Sequence, residues 1–175
     1  MVRKGCCHDT DAQIKHKAAR YPGVVFEVAS SQNSEEMEEL ARQYIIEGGG
    51  NTCRVVFLSV NHGTSKKATL SIWKPQITAS TDDSLPMLSV ETEVANLTFR
   101  NADGGPSPGW WMAFPVADFA PKSLIPESVL HTSIYISSND LRTCLGEAEV
   151  ERRAWNSGGG IVDPDLPLQF DVPPA

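Results

Sequence analysis

Two short apolar runs, residues 23–29 (GVVFEVA) and 53–60 (CRVVFLSV), bracket one stretch of helical period. Both runs are rich in Val and Phe, the composition of buried strands. Between them Met37, Leu40, Ala41, Tyr44 and Ile45 recur at i, i+3, i+4, i+7 and i+8, a single stripe on an amphipathic helix. Asn33 or Ser34 can cap that helix, and Glu35 and Glu36 lie in its first turn, where the helix dipole favours negative charge. The glycines at 48–50 stop it. Strand, helix and strand at this spacing predict a βαβ unit: two parallel strands joined by a right-handed crossover. Period-two alternation places Val24, Phe26 and Val28 on one face of the first strand and Val25, Glu27 and Ala29 on the other.

The rest of the chain extends the sheet. Residues 61–67 (NHGTSKK) turn the chain into 68–73 (ATLSIW), expected to run antiparallel to the second strand. Residues 88–99 alternate as a strand on a half-exposed sheet, and 101–109 (NADGGPSPG) form a turn-rich loop. Residues 110–119 suggest a return strand weakened by Pro115, and 130–137 another strand. Ser138 can cap a last helix with Leu141, Cys144, Leu145 and Ala148 on one face, ended by the glycines at 158–160. The expected fold class is α/β, a central mixed sheet with one parallel βαβ unit and a C-terminal helix. One domain is expected over residues 1–156, with a disordered, acidic and proline-rich tail over 157–175.

A chain of 175 residues is long enough to bury a sizeable core. No apolar run approaches the roughly 20 residues needed to span a bilayer, and the basic N-terminus lacks the apolar segment of a secretory signal. Cys6, Cys7, Cys53 and Cys144 are scattered and suggest no disulfide framework. An intracellular protein with reduced thiols is expected, in cytoplasm or nucleus and without a membrane partner. The net charge of −7 opposes broad, nonspecific nucleic-acid binding, although the residues up to Arg20 are locally basic.

Glu27 is the chemically conspicuous residue. A carboxylate inside an apolar strand is costly unless it is paired, protonated or bound to a metal. The simplest reading is a structural Glu near a strand end, hydrogen-bonded or paired with a Lys or Arg; the sharper one is a functional carboxylate.

A strand bearing one Glu, then a Ser/Gln turn, an amphipathic helix, a parallel strand and an antiparallel hairpin resembles the core of the restriction-endonuclease-like (PD-(D/E)XK) superfamily. YPGVVFEVASSQ with its helix, RVVFLSV and KKATLSIWKP further resemble a group of fungal nuclease-like proteins of the transposon- and crinkler-associated type. The likeness continues through DFAP at 118–121 and SSNDLRTCLGEAEVERRA at 137–154, so it covers most of the chain beyond Asp11. The resemblance implies a nuclease that hydrolyses phosphodiesters of nucleic acid with Mg²⁺, held by an Asp and a Glu on neighbouring strands. Carried over, Glu27 is the Glu and Asp11, in TDAQIKH, is the Asp, with Asp9 as second choice. The Lys that such enzymes carry two residues after the Glu is Ala29 here. Gln32 takes the role of positioning water, without the charge. Lys66 and Lys67 are alternative sources of that charge, though a solvated hairpin loop is the simpler reading of both. The superfamily also places a helix and a strand before the Asp-bearing strand; ten residues precede Asp11, so those elements are expected to be missing. Two functions stay open: the hydrolase, or a nuclease-like interaction scaffold that kept the fold and lost the chemistry.

Other groups carry weaker signals. Cys6, Cys7, His8 and His16 lack the spacing of a structural zinc site. His62 and His131 are isolated. Trp110, Trp111 and Phe114 either stack bases or close a small core, and the core is favoured.

Overall fold

A computed structural model describes residues 10–29, 33–61, 63–79 and 85–158. The chain divides into two compact units between Arg142 and Thr143. Among the described residues of the first unit are β1 (Ala12–Ile14), β2 (Val24–Ala29), α1 (Ser34–Glu47), β3 (Arg54–Val60), β4 (Ala68–Thr78), β5 (Met87–Arg100), β6 (Trp111–Pro115) and β7 (Ser133–Ser137). The division falls within α2 (Ser138–Asn156), the C-terminal helix. The protein is α/β, with a mixed sheet in the order β1-β2-β3-β4-β5 and a separate ribbon of β6 and β7. β2 and β3 are parallel, with Val24 opposite Arg54 and Ala29 opposite Ser59. The other neighbours in the sheet are antiparallel. Among the described residues, no helix is long and apolar enough to cross a membrane.

Local chemistry explains the crossover helix. The Asn33 side chain accepts from the Glu36 N–H at 2.9 Å, and the Glu36 carboxylate accepts from the Asn33 N–H at 3.2 Å. This capping box satisfies two of the amide donors that a helix start leaves without partners. The stripe then buries Met37, Ala41 and Ile45 against Val25, Ala29, Val55, Phe57 and Trp73. Phe57 and Trp73 meet edge to face with centroids 5.4 Å apart, the favoured geometry for an aromatic pair.

The other face of the sheet presents Phe26, Val56, Leu58 and Leu70 to Trp110, Met112, Phe114 and Ile136. Only about 30 Å³ of open space remains between them. β2 and β3 are thus covered on both faces, which is why they read as near-continuous apolar runs.

Three details depart from the sequence expectations. The cap of α2 is Ser137 and not Ser138: its hydroxyl accepts from the Asp140 N–H at 3.1 Å, and its own N–H donates to the Asp140 carboxylate at 2.9 Å. β7 runs directly into α2, so the last strand residue serves as the cap. β4 continues past residue 73 to Thr78, through Pro75. Beyond Trp73 it pairs with β5 alone, so a proline there faces an open edge. β5 carries a bulge at Asn96, whose φ of 49° suits Asn and whose N–H donates to the Ser71 hydroxyl at 2.9 Å.

A buried ion cluster ties the sheet to the segment after β6. Arg54 grips Glu93 with two hydrogen bonds, 2.8 and 2.9 Å, and also bonds Asp118. Its guanidinium lies 5.4 Å from the centroid of the Phe114 ring. Hydrogen bonds from Arg54 hold the Glu93 carboxyl below the ordinary glutamate range, against the opposing effect of its burial.

Candidate functional site

The carboxyl end of β2 brings two acids together. Glu27 is half-buried on the face it shares with Val25 and Ala29, as alternation along the strand predicts, and that is the face α1 covers. β1 pairs Ala12 with Phe26, so the next register position sets Asp11 against Glu27. Asp11 Oδ2 accepts from the Val28 N–H at 2.7 Å and thereby extends the ladder past the end of β1. Asp11 lies close enough for both its side chain and its backbone to act on the ionisation of the Glu27 carboxyl.

Tyr44 closes the group from above. Its hydroxyl donates to Glu27 Oε1 at 2.6 Å. Helical side chains lean toward the helix N-terminus, which carries the ring back over the strand end. Burial raises the Glu27 carboxyl above the ordinary glutamate range. The Tyr44 bond opposes that rise, while the Asp11 charge and its carboxyl contact add to it. A second carboxylate beside Glu27 disfavours its ionised form, and a cation held between them would relieve that repulsion.

The donor set fits a hard divalent cation. Both candidate donors are carboxylates, and Mg²⁺ is commonly held by one or two carboxylates while keeping several waters. Among the described residues, no group of three or more His, Cys, Asp and Glu gathers at one point.

Of the predicted site residues, Asp11 and Glu27 are adjacent, while Gln32 lies outside the described residues, as does Asp9. Ala29 is 3% exposed, so the position that carries Lys in the superfamily is sealed under α1. Lys66 and Lys67 are exposed in the connection that enters β4, with β3 between them and β2. The Lys66 N–H donates to Ala102 O, which makes it a loop residue bound to its neighbouring loop. His16 Nδ1 accepts from the Ala18 N–H at 3.2 Å within a local turn. Trp110 donates its indole N–H to Thr98 O and Phe114 is buried, as a small core requires; Trp111 is 72% exposed. Cys6, Cys7, His8, His62 and the 159–175 part of the tail lie outside the described residues.

Tyr44 is the residue that sequence reasoning overlooked. The apolar stripe counts it as a packing residue, but its hydroxyl needs a polar partner once the ring is covered. A Tyr on the crossover helix that follows a Glu-bearing strand is the available signal.

No protein-family model matches the chain, and comparison with the curated proteins and with the solved structures also finds no match.

Proposed function

We propose that the chain is a metal-dependent phosphodiester hydrolase of the restriction-endonuclease-like kind, acting on nucleic acid in the cytoplasm or nucleus. The observation that carries this reading is the juxtaposition of Asp11, just before β1, with Glu27 on β2, near the carboxyl end of β2. The carboxyl ends of strands are where open α/β sheets receive ligands. A half-buried acid whose ionisation is disfavoured, set beside a second acid, is a recognised mark of functional sites. Asp11 and Glu27 would hold Mg²⁺, which supplies polarisation of the scissile phosphate and a water of lowered pKa when bound. The chain's own contribution is positional. Tyr44 fixes the Glu27 side chain through Oε1, the Val28 N–H fixes Asp11, and Gln32 would orient the water.

A second reading rests on Ala29. With a buried methyl group where a cation would stabilise developing charge, the pair can serve as a proton-sharing structural clasp in a nuclease-like scaffold. Calorimetric titration with Mg²⁺ and Mn²⁺, alongside cleavage assays on mixed DNA and RNA, separates the two. The hydrolase binds metal and cuts, and both properties vanish in Glu27→Gln and Asp11→Asn. A folded native chain that binds neither metal is the scaffold.

A further inference from the structure

At the opposite end of β2, three connections converge on a cleft of about 430 Å³. The β1–β2 turn contributes Arg20 and Tyr21, the α1–β3 turn contributes Asn51 and Cys53, and the segment after β6 contributes Asp118 and Lys122. The volume lies in the range of small-molecule sites, roughly 300–1,000 Å³. Gly23, at the cleft, and Glu27 are separated by about 13 Å of extended strand, so the cleft is distinct from the carboxylate pair.

The charge of the cleft is specific. Asp118 is the acid in its wall, and its carboxylate is already bonded by Arg54. Among the described residues, neither Arg20 nor Lys122 is ion-paired with a carboxylate. The Arg20 guanidinium lies 5.3 Å from the Tyr21 ring centroid, which orders it at the wall. Burial pushes the Cys53 thiol up while Arg54 and Lys122 oppose that rise, so the Lys122 charge acts on the same wall and Cys53 stays neutral near pH 7. Among the described residues, two cations without a carboxylate partner therefore line one cleft in a chain of net charge −7. A phosphate monoester carries between one and two negative charges near neutral pH and accepts both the Arg fork and the Lys point charge.

We propose that this cleft binds a small phosphate monoester, with Arg20 and Lys122 holding the phosphate and Cys53 in the wall beside it. The reading is independent of the metal site, and metal is left out of its test. In a chain carrying Cys6→Ser, Cys7→Ser and Cys144→Ser, the alkylation rate of Cys53 by neutral iodoacetamide reports occupancy. Phenyl phosphate at ten times its Kd is expected to slow labelling about tenfold by simple occupancy. Sodium chloride at matched ionic strength leaves the rate unchanged, and acetate slows it far less. Arg20→Gln with Lys122→Gln abolishes the protection, whereas Glu27→Gln retains it. Calorimetric titration of the native chain with phenyl phosphate reads the same site without relying on the thiol. Heat is expected from the native chain and none from the double variant. Protection equal to that by chloride, equal protection by acetate, or equal heat in both proteins overturns the proposal.

Discussion

Glu27, which is half-buried, and Glu93, whose side chain is 28% exposed, are displaced in opposite directions, and the contrast separates what a partner does from what burial does. Glu93 faces the Arg54 guanidinium, so its folded pKa lies below the unfolded value of about 4.3. Its contribution to stability is fully present above that unfolded value and is lost as pH falls through the folded value. Acid denaturation of the native chain is expected to steepen in that window, and Glu93→Gln to flatten it, read by urea denaturation across pH. Glu27 behaves in the opposite sense. Its folded pKa is raised, so its contribution is present below the unfolded value and is lost as pH rises through the folded value. In metal-free buffer at pH 7, Glu27→Gln is therefore expected to be no less stable than the native chain. Tyr44→Phe removes a hydrogen bond that favours the ionised carboxylate. Carboxyl NMR titration is expected to show the Glu27 pKa moving further up, with a stability loss of about 1 kcal/mol.

Among the elements, α1 owes its start to a few neighbouring residues and its position to its stripe. Asn33 is exposed, so its contribution is the cap and not packing. Asn33→Ala is expected to cost about 1 kcal/mol in thermal or chemical denaturation. β4 teaches a different lesson. Pro75 reads as a terminator in a linear scan, yet the strand continues because β3 has already dropped away from that side. Whether a proline ends a strand depends on which neighbour needs its missing N–H. In α2 the cap moved by one residue because the preceding strand and the helix share a junction, and either Ser137 or Ser138 suits the cap by residue type alone.

At the scale of the whole molecule, the segment after β6 is held against the sheet at two points. A Cβ built on Gly23 would lie 2.1 Å from Asp118 O, so that approach requires glycine. Arg54 forms the second point, and its side chain is only 10% exposed. Arg54→Met would leave Asp118 without its cation and Glu93 with only Lys74 at 4.0 Å, and is expected to cost about 3 kcal/mol in equilibrium unfolding, as breaking a largely buried pair does. The βαβ unit, the α1 stripe and the alternation that groups Glu27 with Val25 and Ala29 on one face were all legible in the sequence alone. Each depends on periodicity or on hydrogen bonds between residues close in the chain. Asp11 was legible only through resemblance, since nothing local distinguishes it from Asp9. Other features were decided by the tertiary structure. Arg54 sits in an apolar run whose pattern says nothing of Glu93 or Asp118, 39 and 64 residues away. The cleft of about 430 Å³ likewise combines turns from three connections that share no sequence signal. Local order is set by the steric and hydrogen-bonding preferences of consecutive residues. A charge buried far from its partners along the chain acquires a stable place only when the folded chain brings those partners to it.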